Sequence, residues 1–168
     1  MINTDFSIPF LGEVRRLNLE FERHGAVQVQ EKEIAVPIPF PREGYDHGKY
    51  IATRLNQWGR MKAVEIIKDR VSFYEAVMGV KSAQLRVKEV KSLWGSCNSK
   101  GRLMFNWRLV MAPVLVIDYV VVHELAHLIH RNHSEKFWKT VQSVLPDYKI
   151  RRKWLRKNER LMKWEAGL

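Results

Sequence analysis

Residues 121–133 read Val-Val-His-Glu-Leu-Ala-His-Leu-Ile-His-Arg-Asn-His, and this stretch decides the fold. On an α-helix, residues four positions apart share one face, so His123 and His127 can point at the same ion. Neutral imidazole is a common zinc ligand, and Glu124 can take a proton from a water beside such an ion. The His-Glu-x-x-His pattern therefore predicts a catalytic metal site on a helix.

Apolar residues surround the motif on every side of this predicted helix. They are Val120, Val121, Val122, Leu125, Ala126, Leu128 and Ile129. A helix that is apolar all round is buried, and buried histidines and glutamates are costly unless they are paired or bind a metal. This favours a metal site over a solvated helix face or a pair of core histidines. The apolar run is too long for a strand and Pro113 suits a first helical turn, so we predict a helix over 113–130.

A catalytic zinc ion usually has three protein ligands and one open position. The candidates for the third ligand are His130, His133, Glu135, Glu159 and Glu165. His130 would continue the line of the first two histidines along the helix, where three ligands surround a tetrahedral ion poorly. Asn132 can end the helix, and Ser134 is a suitable N-cap for a further helix over residues 135–145. A chain that turns at Asn132 folds His133 back toward the ion, which favours His133 over His130.

The motif and the segment before it resemble a known family. The similar residues are His123–His127, His133, Ser134, Phe137, Trp138, Trp94–Cys97, Gly101, Asn106–Leu109 and Met111–Pro113. Over about residues 85–150 the chain is similar to the YgjP-like metallopeptidases, relatives of the SprT and WLM zinc peptidases. The resemblance implies a zincin-like fold, one Zn²⁺ per chain on His123, His127 and His133, a polypeptide substrate, and Glu124 as general base.

Length and composition limit the class of protein. A chain of 168 residues, 46% hydrophobic and 28% charged, suits one domain over residues 1–168. The one cysteine, Cys97, excludes an internal disulfide and fits a reducing, cytoplasmic compartment; we expect it to lie in a turn with a structural role. No uncharged apolar run is long enough to span a membrane, and no secretion signal is seen at the N-terminus.

Hydrophobic periodicity predicts an α+β domain, with a small antiparallel sheet packed on helices that include the His-Glu-x-x-His helix. The predicted parts are N-terminal strands within 1–40, a helix over 49–78 ending at Gly79, a strand hairpin over 85–109, the motif helix, and C-terminal helices over 134–165. Pro37 and Pro39 indicate an edge strand or an extended exit from the sheet. We expect helix 49–78 to pack behind the motif helix, and His24 and His47 to lie at the surface or in turns.

Zinc peptidases commonly bind an extended substrate as an added strand at a sheet edge beside the metal. By this analogy the edge is predicted at Leu103, Met104, Phe105 and Asn106. An ordinary hairpin covering the helix is an equal alternative. The oxyanion needs a donor besides zinc, for which His130, Tyr148 and Arg108 are candidates.

The segment 149–163 is the most basic part of the chain. Its cations are Lys149, Arg151, Arg152, Lys153, Arg156, Lys157, Arg160 and Lys163, against the single acid Glu159. The chain as a whole has a formal net charge of +11, which attracts polyanions. We predict a nucleic-acid contact through Arg151, Arg152, Lys153, Arg156 and Lys157. The resemblance agrees, since SprT-like peptidases act on DNA-attached proteins; the plain alternative is a solvated amphipathic helix.

Two other function classes remain open. The spacing His-x3-His-x5-His also occurs in a metal-dependent endoribonuclease family that matures ribosomal RNA. That family lacks a glutamate directly after the first histidine, so Glu124 favours a peptidase. A non-enzymatic nucleic-acid-binding module with structural zinc would normally fill all four ligand positions, often with cysteine, and Cys97 is the only thiol.

Overall fold

The computed structural model describes residues 6–22, 25–40 and 46–164. Their elements are β1 (Ser7–Phe10), β2 (Glu13–Phe21), β3 (Gln28–Val29), β4 (Glu33–Ile38), α1 (His47–Met78), β5 (Gln84–Lys88), β6 (Gly95–Cys97), β7 (Arg102–Asn106), α2 (Val114–Ala126), α3 (Glu135–Val144) and α4 (Tyr148–Lys157), with 3-10 helices at Trp107–Met111 and Glu159–Lys163. The predicted α+β class is confirmed. His24 and Glu165 lie outside the described residues.

The N-terminal strands form a mixed sheet where an antiparallel one was expected. The order is β1-β2-β4-β3, with β2 and β4 parallel. β4 is therefore not an edge strand, although it contains Pro37. β3 has only two residues and pairs with Ile34 and Ala35, so Pro37 lies beyond this pairing. Its missing N–H costs no ladder hydrogen bond there.

The second sheet corrects the predicted hairpin over 85–109. Its order is β5-β7-β6, with β5 parallel and β6 antiparallel to β7. The hairpin is formed by β6 and β7, and its turn is closed by the Asn98 side chain, which accepts hydrogen bonds from the backbone N–H groups of Lys100 and Arg102 at 3.0 Å each. β7 carries Leu103–Asn106 and is the central strand, so these residues are not at an edge.

Helix α1 lies behind α2, as expected. It is capped by Asp46, whose side chain accepts from the Lys49 N–H at 2.9 Å, and it ends at Gly79 in the left-handed conformation (φ 65°). α1 packs along α2 and along the 3-10 helix Trp107–Met111. At Gly59, a Cβ atom would lie 2.7 Å from the Trp107 ring, so glycine allows this close approach.

The motif helix α2 is buried on nearly all sides, as its composition predicts. It begins after Pro113 and ends at Ala126, four residues earlier than the predicted helix over 113–130. Ser134 caps α3 by accepting from the Phe137 N–H at 3.4 Å. None of the helices in the described ranges combines the length and apolar character that a bilayer crossing requires.

Candidate metal centre

Three histidines converge where α2 ends. His123 and Glu124 lie on its last turn, and His127 is the C-terminal cap residue. The following turns bring His133 back, so that its Nε2 lies 3.1 Å from Nε2 of His123. The ligand atoms of His123, His127 and His133 all lie within 4.8 Å of one another. The structure thus brings together the three histidines that the sequence singles out.

The chain turns earlier than the predicted stop at Asn132. The His130 N–H donates to the Ala126 carbonyl at 2.9 Å, and the His130 carbonyl lies 3.1 Å from Nδ1 of His127. This contact orients His127, because an Nδ1–H that donates to a carbonyl leaves Nε2 free as a ligand. The His130 ring instead faces Thr140, with 3.1 Å between Nε2 and Oγ1.

The other candidate ligands are placed elsewhere. Glu135 is exposed and pairs with Lys139 at 2.6 Å. Glu159 is exposed at the start of the last 3-10 helix. Neither belongs to the cluster found among the described residues.

The histidine cluster fits a tetrahedral metal ion such as zinc. Two ligand nitrogens at about 2.05 Å from such an ion are about 3.3 Å apart, close to the observed 3.1 Å between His123 and His133. The pKa of His123 is lowered to about 3, mainly by burial and then by the charges of His127, His133 and Arg152. Burial also lowers the pKa of His133. A lowered pKa favours the neutral imidazole, which metal ligation requires.

Aromatic rings enclose the histidines. Phe137 lies 4.6 Å from the His127 ring and 5.0 Å from the His123 ring, between centroids. Trp138 stacks on His133 at 5.6 Å, and Tyr148 stacks on Trp138 at 5.4 Å. Tyr119 lies 5.8 Å from His123 and was not singled out from the sequence, because it reads as one more apolar position of a buried helix. The rings restrict the rotamers of the histidines.

Glu124 is buried beside the cluster, with 6% of its surface exposed. Burial raises its pKa to about 8. Its carboxyl group has no hydrogen-bond partner among the residues that the structure describes. A Cβ atom on Gly95 would lie 2.9 Å from Cγ and 3.0 Å from Oε1 of Glu124, so the strand β6 passes directly over this carboxyl. A carboxyl group with a pKa near neutrality can both accept and release a proton.

An open cleft runs along β6. Trp94 accepts from the Asn106 N–H and Asn98 donates to the Arg102 carbonyl, both toward β7. Because these directions alternate along a strand, the backbone groups of Gly95 and Cys97 turn to the open edge. A cavity of about 310 Å³ lies at the Cys97 end, lined also by His127 and Arg131. One of about 170 Å³ lies at the Gly95 end, lined by Trp94, Tyr119, Val120, His123, Glu124 and Leu155.

Leu103–Asn106, predicted as the substrate edge, are therefore not at a sheet edge, and the edge of this sheet beside the histidines is β6 in the described part of the chain. In β7, Asn106 is fully buried, and its Nδ2 donates to the Val90 carbonyl at 2.7 Å, a role in holding the preceding loop. Cys97 lies in β6 at the cleft and not in the predicted turn. The strand β6 has three residues, which is too short to show hydrophobic alternation in the sequence.

Of the candidate oxyanion donors, Arg108 is engaged away from the histidines. It is buried, and its guanidinium donates to Glu89 at 2.7 Å and to the Trp164 carbonyl at 2.6 Å. His130 is turned toward Thr140. Tyr148 is the one whose ring lies in the aromatic enclosure of the histidines.

The five predicted nucleic-acid residues on α4 do not share one surface. Arg151 is tied to Asp147 and to the Leu115 carbonyl. Arg152 lies with its guanidinium 4.7 Å from the Trp138 ring centroid. Lys153, Arg156 and Lys157 are exposed.

Three imidazoles beside a buried carboxyl group, next to the open edge of a strand, are the arrangement expected of a metal-dependent peptidase. Comparison with protein families agrees. The family model described as "YgjP-like, metallopeptidase domain" matches residues 3–158, and the chain belongs to this family of metallopeptidases. Membership of this family favours a peptidase over the metal-dependent endoribonuclease and the non-enzymatic nucleic-acid-binding module.

Solved structures give more distant likenesses. The chain is similar to the metallopeptidase zymogen abylysin of Pyrococcus abyssi, with TM-score 0.50, 21% identity, and coverage of 55% of this chain and 95% of that one. It is also similar to the metallopeptidase zymogen jannalysin of Methanocaldococcus jannaschii (TM-score 0.49, 23% identity, 56% and 96% covered) and to Wss1 from Saccharomyces cerevisiae (0.46, 18%, 58% and 83%). The likeness to abylysin shows a shared fold alone. No curated protein matches the chain.

Proposed function

We propose that the protein is a zinc peptidase in which His123, His127 and His133 hold one Zn²⁺ ion and Glu124 is the general base. The observation that carries this proposal is the cluster of three imidazole ligand atoms within 4.8 Å. When bound, zinc lowers the pKa of a water molecule and polarises the scissile carbonyl. Zinc suits the site because three neutral imidazoles are a donor set typical of open, catalytic zinc centres.

The chain's own residues supply the remaining chemistry. Glu124 accepts a proton from the attacking water and later delivers it to the leaving amine. Its burial under β6 keeps bulk water away from this proton. Tyr148 is the proposed oxyanion donor, since its ring lies in the enclosure of the histidines.

The substrate is proposed to bind as an extended strand along β6. The backbone N–H and C=O groups of Gly95 and Cys97 face the open edge, where an added chain would pair with them. Glu124 lies directly beneath Gly95. Such pairing would hold the scissile bond over the histidine cluster without fixing the substrate's sequence.

The test is zinc content together with cleavage of an unfolded protein substrate. The wild type is expected to bind about one zinc ion per chain, and His133→Ala to lose zinc affinity by about 100-fold or more, and turnover with it. His130→Ala is the matched control, because this histidine lies in the same turn but faces Thr140. Zinc binding and turnover in His133→Ala equal to those of His130→Ala would refute the ligand set.

A nucleic-acid contact stays a second, separate proposal. It is supported by the exposure of Lys153 and Lys157, which lie on one side of α4, and by the net charge of +11. Arg151 is excluded from it, because Asp147 holds its guanidinium. Binding of a labelled single-stranded oligonucleotide should weaken steeply with salt and further in a Lys153→Glu, Lys157→Glu variant. Binding that the double variant leaves unchanged would overturn this proposal.

A further inference from the structure

Two arginines lie close to the histidine cluster and the cavities along β6. Arg131 lines the cavity at the Cys97 end. The second, Arg152 on α4, has its guanidinium 4.7 Å from the centroid of Trp138, whose ring is stacked on His133. It therefore lies at the rim of the metal site.

Neither arginine is neutralised. Within the described ranges, no acidic side chain pairs with Arg131 or Arg152, whereas the adjacent Arg151 is paired with Asp147 at 2.9 Å. Among the described residues that line the two cavities, Glu124 is the single acid, and it is buried. The cavities therefore present the charge of Arg131 without an exposed acid to offset it, and Arg152 adds a second cation beside the histidine cluster.

Arg152 is also held in a fixed position. Trp138 lies against its guanidinium by a cation–π contact, so the side chain loses less freedom when it binds a ligand. A planar guanidinium with free N–H groups matches the two oxygens of a carboxylate. No hydrogen bond from the Arg152 guanidinium to another described residue is seen, so its N–H groups are available to a ligand.

We propose that the cleft selects acidic polypeptide segments, with Arg152 binding a substrate carboxylate on one side of the scissile bond and Arg131 binding a second carboxylate on the other side. This inference rests on the proposed peptidase function and names the substrate class of the same site.

The geometry favours an acidic peptide over a nucleic acid for this cleft. The open edge of β6 offers backbone N–H and C=O groups, which pair with an extended polypeptide. Single-stranded nucleic acids bind through aromatic rings with open faces, on which bases stack. Here Tyr119 and Tyr148 are buried, and Trp138 is engaged with His133, Tyr148 and Arg152. Trp94, which also lines the cavity at the Gly95 end, is half-buried, so the cavities do not offer a row of open rings.

The test uses short peptide hydroxamates, whose hydroxamate group chelates zinc, with the full-length zinc-loaded protein. A matched pair differs only by glutamate or glutamine next to the chelating group. The wild type is expected to bind the glutamate compound about fivefold more tightly, as for a partly exposed ion pair. Arg152→Gln should remove this preference, Arg152→Lys should retain part of it, and Arg152→Glu should invert it in favour of a lysine compound.

The matched control is Lys153→Glu, which makes the same change in net charge. Lys153 is exposed and lies about 100° around α4 from Arg152. Its substitution should leave the ratio of the two affinities unchanged. Equal binding of both compounds to the wild type would overturn the proposal, as would an equal change of the ratio in Lys153→Glu and Arg152→Glu. Arg131 is tested in the same way with the acidic residue on the other side of the chelating group.

Two further measurements separate the outcomes. Zinc content and thermal unfolding of each variant show whether it folds and keeps its metal. If a single-stranded oligonucleotide displaces the hydroxamate from the wild type but not from Arg152→Glu, while the glutamate preference is absent, the rim binds nucleic acid and the proposal fails. A glutamate preference without any peptide cleavage would refute the peptidase chemistry but keep the carboxylate site. Peptide cleavage without a preference for the glutamate compound would keep the peptidase chemistry and refute the carboxylate site.

Discussion

Helix α2 buries two carboxyl groups in different ways. Asp118 in its first half is 3% exposed, and Glu124 in its last turn is 6% exposed. Asp118 receives two hydrogen bonds from the Arg70 guanidinium, at 2.5 and 2.9 Å. Glu124 receives none from the described residues, and burial raises its pKa to about 8. A buried acid without a partner lowers the stability of the fold, so we infer that Glu124 has a functional role. The paired acid Asp118 has a structural role, because it joins two helices.

The surroundings of the two acids show the same contrast. Arg70 belongs to α1 and also lies over the rings of Phe73 and Tyr74, at 5.0 and 5.4 Å from their centroids, which fixes the joint between α1 and α2. Glu124 instead faces β6 and the open cleft. One half of α2 is therefore anchored to the helical core, and the other half is open to a ligand.

The largest expected effect is on turnover at the unpaired acid. Glu124→Gln should lower kcat by about 10²–10⁴-fold, because the amide cannot accept the proton of the attacking water. Zinc content and thermal stability should be retained, since an uncharged group of the same shape replaces a buried acid. The control is Glu135→Gln, which changes an exposed glutamate of α3. A turnover within about threefold of the wild type would remove Glu124 as the general base.

Asp118→Asn should act on stability and hardly on chemistry. Breaking a buried ion pair costs about 3–5 kcal/mol, and we expect about 2–3 kcal/mol because water reaches the Arg70 side chain, which is 29% exposed. Urea unfolding measures the loss. Turnover per folded, zinc-loaded molecule should change less than about threefold. The double variant Arg70→Met, Asp118→Leu should recover much of the stability. If Asp118→Asn instead lost turnover without losing stability, the distinction between the two acids would be wrong.

Local sequence patterns predicted the half of α2 that contains the site. The i, i+4 spacing placed His123 and His127 together, and the turn expected before His133 agrees with the observed cluster. The position of the turn was wrong, because Leu128 and Ile129 continue the apolar pattern. The helix ends at Ala126, where a contact between His127 and the His130 carbonyl begins the turn. A single side-chain contact of this kind leaves no periodic pattern in the sequence.

Pairings between distant segments could not be predicted. Arg70 and Asp118 are 48 residues apart, and neither has a neighbour in sequence that signals the ion pair. β5 pairs with β7 in parallel where a hairpin was expected, and the three-residue strand β6 pairs with the other side of β7. Strand order is decided by packing over the whole chain, so the sheet edge was predicted on the wrong strand.

A smaller effect tests how closely β6 approaches the unpaired acid. In Gly95→Ala, the added Cβ would lie within 3.0 Å of Glu124, which must move. We expect kcat/KM to fall about tenfold and stability to fall by about 1 kcal/mol, as for overpacking of a filled site. Ser96→Ala in the same strand is the control and should change kcat/KM less than about twofold. Equal activity of both variants would show that the carboxyl group has room to adjust.

The smallest expected effect concerns the loop that completes the open half of α2. Ser134 follows His133 and caps α3 by accepting from the Phe137 N–H, so Ser134→Ala should cost about 0.5–1 kcal/mol in urea unfolding. Since the cap also fixes the backbone beside His133, zinc affinity measured by competition with a chelator should fall about two- to fivefold. Ser143→Ala, at the far end of α3, removes only a hydrogen bond to the Thr140 carbonyl and should leave zinc affinity unchanged. If both variants bind zinc equally well, the stacking of the His133 ring on Trp138 is sufficient to position His133 without the cap. The metal site at the end of α2 is then held as rigidly as the half of the helix that Asp118 pairs with Arg70.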